Sequence, residues 1–166
     1  MTDEHCIHRV GIGTDLHRTE AGRPLILGGV RIESPFGLAG HSDADVVLHA
    51  VIDALLGAAG QPDIGELFPD TDPKYRGADS SELLRVALSR VHAAGFGVVN
   101  VDVTIHAERP KLSAYKNAIR SSLSTLLRIP GERIGIKAKT GEGLDAVGRG
   151  EAIGCTAVTG LSAIAP

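Results

Sequence analysis

The chain has 166 residues, 43% of them apolar and 22% charged, and its 17 lysines and arginines against 20 aspartates and glutamates give a net charge of −3. A chain of this length buries roughly 70% of the surface it exposes when unfolded, so one core forms without staples, and the composition disfavours disorder. A pI near 6.1, with three phenylalanines, two tyrosines and no tryptophan, offers neither a basic field nor stacking platforms for nucleic acid.

Residues 9–14 read as a first strand. Leu25–Leu27 and Val30–Ile32, separated by Gly28-Gly29, predict a hairpin, because paired glycines admit positive φ. Over residues 44–56, Val47, Leu48, Val51, Ile52, Leu55 and Leu56 recur at helical spacing, with Ser42 or Asp43 placed to cap the start. Residues 61–77 are dense in proline, glycine and aspartate and read as a functional loop. Ser80 or Ser81 caps a second helix whose apolar face includes Leu84, Ala87, Leu88 and Val91 and which stops at Gly95. Residues 98–105 alternate like a strand, with Val99, Val101, Val103 and Ile105 on one side. A third helix follows Pro110 and runs to about Leu127, turning Ala118, Ile119, Ser122, Leu123, Leu126 and Leu127 inward, and residues 134–138 and 155–161 complete the set as strands. This order predicts a single α/β (α+β) domain with a mixed four-stranded main sheet plus a small hairpin.

Cys6 and Cys155 sit in no CxxC arrangement, which argues against a disulfide scaffold and for a reducing compartment. No secretory leader pattern and no run of about 18 apolar residues is visible, so a cytoplasmic protein is expected.

Asp15 and His17 stand two apart on an extended segment, which points both side chains to one face. Alone, such a pair is far more often a surface turn than a metal grip. His49 lies four residues after Asp45 and four before Asp53 in a segment, residues 40–61, that contains no lysine, arginine or glutamate. If that helix meets the strand end, Asp15, His17 and His49 supply a carboxylate and two imidazoles with a fourth tetrahedral position open for substrate, and Asp45 or Asp53 would orient His49 from behind. The turn Lys137-Ala138-Lys139-Thr140-Gly141-Glu142-Gly143 collects lysines, a hydroxyl, glycine amides and a carboxylate, which suits phosphate with a hard cation, although a solvated turn has the same composition.

Together these residues resemble the 2-C-methyl-D-erythritol 2,4-cyclodiphosphate synthases. The resemblance rests on Ser42-Asp43-Ala44-Asp45-Val46-Val47-Leu48-His49-Ala50-Val51-Ile52-Asp53-Ala54, together with Asp15-x-His17, Phe68-Pro69-Asp70-Thr71-Asp72, Gly77-Ala78-Asp79-Ser80, Pro110-Lys111 and Gly148-Arg149-Gly150-Glu151 in order, and it covers about residues 9–161. It implies a homotrimer with helices on one face of each sheet, sheets around a central axis and sites between neighbours. It implies zinc on Asp15, His17 and His49, and Mg²⁺ or Mn²⁺ on Glu142 and the substrate's phosphates. Thr140 would contact phosphate, and cytosine would lie near Ala107, Pro110, Lys111, Leu112 and Ala138. His41, Ser42, Asp63 and Gly65 would approach the methylerythritol part, with Phe68, Asp70, Lys139 and Arg149 completing the substrate-binding set and His41 and Thr140 as catalytic candidates. Arg149 and Glu151 would lie near the trimer axis, where similar enzymes hold an isoprenoid diphosphate.

The implied activity is that of a phosphorus-oxygen lyase of the non-mevalonate isoprenoid pathway. Lys139 and Gly141 stand where threonines are common in that family, and residues 1–8 extend beyond the resemblance. Two other readings remain at this stage: a metal-dependent phosphohydrolase that activates water, and a diphosphate-binding module with a structural zinc.

Overall fold

The computed structural model describes residues 8–69 and 71–164. The elements in chain order are β1 (His8–Ala21), β2 (Leu25–Leu27), β3 (Val30–Ile32), β4 (Phe36–Leu38), α1 (Val46–Ala58), α2 (Ile64–Leu67), α3 (Ser80–Ala93), β5 (Phe96–His106), α4 (Lys116–Leu127), β6 (Ile134–Lys139), α5 (Asp145–Gly148) and β7 (Ala152–Ala163). Strands run β4-β1-β7-β5-β6 in one mixed sheet, with β2-β3 as a separate hairpin. Only β5 and β6 are parallel, and α4 lies between them in sequence because a parallel pair requires a crossover. The main sheet therefore has five strands rather than four. The fifth, β4, pairs with the far end of β1 through Thr19↔Leu38 and Ala21↔Phe36, and a three-residue strand carries no periodicity to read. Strands β1, β6 and β7 also extend beyond their predicted limits, since ladder pairing continues past the alternating cores: His8↔Ser162 to Arg18↔Ala152 is one unbroken register.

The Gly28-Gly29 hairpin forms as expected, with φ of 62° and 74°. Its turn docks on the start of α1 through Asp45. That carboxylate is fully buried and accepts from Gly28 N at 2.8 Å, Gly29 N at 2.6 Å, Val47 N at 3.0 Å and Leu48 N at 3.1 Å. Burial pushes its carboxyl up to about 6, against the pull of the amide donors. Asp45, not Ser42 or Asp43, is thus the N-cap, and the helix starts at Val46 because Ala44 has φ of 58°, outside the helical region. Likewise Asp79, not Ser80 or Ser81, caps α3, and Gly95 at φ 84° ends it as read.

The loop over residues 61–77 holds α2 and a 3₁₀ turn at Pro73–Tyr75. In α4, Ile119, Leu123 and Leu127 are buried, whereas Ala118 is exposed and Ser122 and Leu126 are half-buried. The helix begins only at Lys116, and the inward stripe is the narrower i, i+4, i+8 row. Val101, Val103 and Ile105 are buried, while Val99 is half-buried beside the irregularity between Val98 and Asn100.

Helix α1 lies directly on β1 and β7. A Cβ on Gly11 would sit 2.0 Å from Ala54 O, and one on Gly13 would sit 2.0 Å from Ala50 O. Ala50, Ala54 and Ala58 form the facing row of the helix, all buried. The opposite face of the sheet is bare. Val10, Ile12 and Leu16 are 74%, 66% and 61% exposed and Val158 is 37% exposed, with Ile12 paired to Val158. No helix among the described residues is long and apolar enough to cross a membrane.

Two outcomes follow for folding. Gly13→Ala forces its methyl into helix backbone and is expected to destabilise by about 1–3 kcal/mol or more, read as a lower midpoint in urea. Asp45→Ala strands four amide donors and removes a cap, with an expected loss of about 3 kcal/mol in the same experiment.

Candidate active site

The close approach of β1 and α1 brings three polar side chains together where the glycine stripe ends. Asp15 and His17 follow Gly13 on the helix-facing side of β1, and His49 stands beside Ala50 at the start of α1. Asp15 Oδ2 is 2.8 Å from His17 Nε2 and 3.0 Å from His49 Nδ1, and the two nitrogens are 3.3 Å apart. Tetrahedral zinc, with bonds of about 2.0–2.1 Å, places its ligand atoms about 3.3 Å from one another. The donor atoms therefore form a metal-binding triad, and a carboxylate with two imidazoles is a set that suits zinc.

Both imidazoles are held from behind. His17 Nδ1 lies 2.7 Å from Ala39 O, so this nitrogen donates and Nε2 presents its lone pair to the triad. His49 Nε2 lies 2.9 Å from Ser80 Oγ and 3.3 Å from Ser42 Oγ. The expected partners Asp45 and Asp53 do not reach it: Asp45 is the buried cap, and Asp53 accepts from Ile64 N at 2.8 Å, fixing the start of α2. Burial pushes the Asp15 carboxyl up, but hydrogen bonds and charge from His17 and His49 outweigh this and hold it well below the usual carboxylate range.

Around the triad, Ser42 Oγ accepts from Ala44 N at 3.1 Å, and His41 Nε2 is enclosed without a hydrogen-bond partner among the described residues. Asp63 caps α2, on which Gly65 is exposed. Phe68 is buried, with its ring edge-on to Tyr75 at 5.4 Å. Asp70 lies outside the described residues, as do Cys6 and the rest of residues 1–7.

A second concavity, about 200 Å³, opens at the ends of β5 and β6. It is lined by Ala107, Glu108, Pro110, Lys111, Leu112, Ser113, Lys116, Ala138, Lys139 and Thr140, and a cis Arg109-Pro110 bond lies at its rim. Ala107 N donates to Lys139 O at 2.9 Å, joining the two strand ends. Glu108 Oε2 accepts from Gly141 N at 3.1 Å and steadies the turn that carries Thr140. Glu108 belongs to no motif whose spacing would mark it out. Of the two lysines in that turn, only Lys139 lines the cavity; Lys137 is ion-paired with Asp102.

The triad and the cavity share no residue. Glu142, exposed at φ 51°, joins neither the triad nor the lining of the cavity. Arg149 is exposed and paired in two bonds with Glu151, at 3.1 and 3.0 Å.

Residues 8–162 match the model of the YgbB family. The 2-C-methyl-D-erythritol 2,4-cyclodiphosphate synthase of Bordetella avium (strain 197N) is 57% identical over 154 residues, covering 93% of this chain and 95% of that protein. A solved structure of 2C-methyl-D-erythritol-2,4-cyclodiphosphate synthase superposes with a TM-score of 0.86 at 48% identity, covering 92% of this chain and 99% of the other. The CDP-bound form of such a synthase gives 0.86 at 46% identity with the same coverage. Matched by the family model over residues 8–162 and similar to these synthases over nearly its whole length, the chain belongs to the YgbB family of 2-C-methyl-D-erythritol 2,4-cyclodiphosphate synthases.

Proposed function

We propose that the chain closes 4-diphosphocytidyl-2-C-methyl-D-erythritol 2-phosphate to 2-C-methyl-D-erythritol 2,4-cyclodiphosphate and CMP, in the non-mevalonate isoprenoid pathway. The observation that carries this reading is the Asp15–His17–His49 triad, whose donor atoms lie 2.8–3.3 Å apart in a member of a synthase family. An oxygen of the 2-phosphate attacks the β-phosphorus, and the bond from that phosphorus to the bridging oxygen of the α-phosphate breaks, its electron pair leaving with CMP. The nucleophile is already an anion, so no side chain need remove a proton. Such a reaction is accelerated by positioning and charge neutralisation.

Zinc on the triad, with Mg²⁺ or Mn²⁺ on Glu142 and the phosphates, supplies Lewis-acid polarisation and charge neutralisation. The residues of the chain do the rest. The cavity of Ala107, Pro110, Lys111, Leu112 and Ala138 receives the cytosine, a role supported by the CDP bound to a structurally similar synthase. Lys139 and the hydroxyl of Thr140 meet the phosphates. His41, whose Nε2 is enclosed and lacks a partner among the described residues, and Ser42 meet the methylerythritol part together with Asp63 and Gly65, and Phe68 belongs to the same substrate-binding set.

The site is completed between subunits of a homotrimer. Two features support this: triad and cavity share no residue on one chain, and the bare sheet face around Ile12 and Val158 is apolar, as expected of a surface covered by another copy. Arg149 and Glu151 would lie near the axis, where Leu16, Arg18 and Glu151 line a cavity of about 600 Å³ and Arg149 is ion-paired with Glu151, a place for an isoprenoid diphosphate. We assign the reaction to the cytoplasm and read the chain as one domain, in which His8, expected in an N-terminal extension, already pairs within β1.

Three results test the reading. His17→Ala and His49→Ala are expected to abolish turnover and zinc content together while circular dichroism stays native; full activity in either sinks the metal assignment. Phosphorus NMR of the protein with the cytidyl substrate and Mg²⁺ is expected to show ring closure that stops when zinc is chelated, whereas a linear product would favour a hydrolase. Ile12→Glu puts like charges on a shared face and is expected to yield monomers by analytical ultracentrifugation, with activity lost in proportion.

A further inference from the structure

Behind the triad lie Ser80, which touches His49, and Asp43, which no role given above employs. Because Asp45 and Asp79 cap the two helices, Asp43 and Ser80 are left to bond each other. Ser80 is completely buried. Its Oγ donates to Asp43 Oδ1 at 2.5 Å, its amide donates to Asp43 Oδ2 at 3.1 Å, and its Oγ lies 2.9 Å from His49 Nε2. Asp43 is itself anchored, its amide donating to Ala78 O at 3.1 Å and its Oδ1 accepting from Asp45 N at 3.2 Å.

A serine hydroxyl beside an imidazole can either donate or accept, and the two choices select opposite tautomers. The carboxylate removes the ambiguity. With its single proton committed to Asp43, Ser80 offers only a lone pair to His49, so His49 donates from Nε2. The lone pair of Nδ1 then faces Asp15 and His17 at 3.0 and 3.3 Å, where a metal binds. Without Asp43, Ser80 can donate to Nε2, which moves the imidazole proton to Nδ1 and blocks the ligand position. Ser42 Oγ, 3.3 Å from the same nitrogen, is the longer partner.

We propose that Asp43 and Ser80 are positioning residues that set the tautomer of His49 and thereby the affinity of the triad for its metal. This rests on the metal reading of the triad.

The test uses the full-length protein and zinc alone. In the zinc-loaded wild type, nitrogen–proton correlation spectra of labelled histidine are expected to place the His49 proton on Nε2; a proton on Nδ1 overturns the proposal without any variant. By competition with a chromogenic chelator, Ser80→Ala is expected to weaken zinc binding by about 10–100-fold, the usual effect of losing such an outer partner. Asp43→Asn, which keeps the size but not the charge, is expected to weaken it by a smaller factor, and Ser81→Ala to leave it unchanged. Excess zinc is expected to restore turnover in Ser80→Ala, which a merely misfolded variant would not show. Zinc affinity within twofold of wild type in Ser80→Ala, with wild-type binding intact, refutes the relay alone. A wild type that binds zinc no better than His17→Ala refutes both the relay and the metal reading beneath it.

Discussion

Contact between the backbones of β1 and α1 is the constraint on which the site depends. Side chains at positions 11 and 13 would penetrate the helix backbone, and glycine with the alanine row 50, 54 and 58 removes the obstruction. That approach sets the distance from Asp15 and His17 on one element to His49 on the other. Close packing then works as a ruler, because interiors tolerate little slack. A helix held even one methyl further away would leave the three donor atoms too far apart for one ion.

Aspartates organise what surrounds this contact, each in a different way. Asp45 joins the hairpin turn to the helix start, Asp53 holds the start of α2, Asp79 caps α3, and Asp43 crosses from the α1 approach to Ser80. Short carboxylates satisfy the orphan amides of helix starts and turns. The acidic character of this stretch is therefore largely structural, and Asp15 is the carboxylate that remains to ligate. The positive φ of Ala44 belongs to the same arrangement, separating Asp43, which faces α3, from Asp45, which faces the hairpin.

The sheet divides the molecule by face and by end. One face is sealed by helices and the other shows Val10, Ile12, Leu16 and Val158 to its surroundings. The cavity lined by Ala107, Pro110 and Thr140 sits at the ends of β5 and β6, with β7 intervening between β5 and the strand that carries Asp15 and His17. The proposed assembly through the bare face would join the triad of one copy to the cavity of another.

Local patterns revealed α1, α3, α4, the glycine hairpin and strands β1, β5, β6 and β7, because each is a short run of patterned apolar residues or a pair of glycines at a turn. The two-residue spacing of Asp15 and His17 told which way they point, and the long joint resemblance told the family. Tertiary structure decided the rest. Which of several neighbouring polar residues caps a helix depends on what else competes for it, so Asp45 and Asp79 prevailed over Ser42, Asp43 and Ser80. The partner of His49 came from a helix more than thirty positions away, and no spacing within α1 encodes that. Strand β4 and the exposure of Ala118 likewise reflect where neighbouring elements lie. A pattern along the chain fixes which face of an element is buried, whereas the identity of what it is buried against is a property of the packed whole.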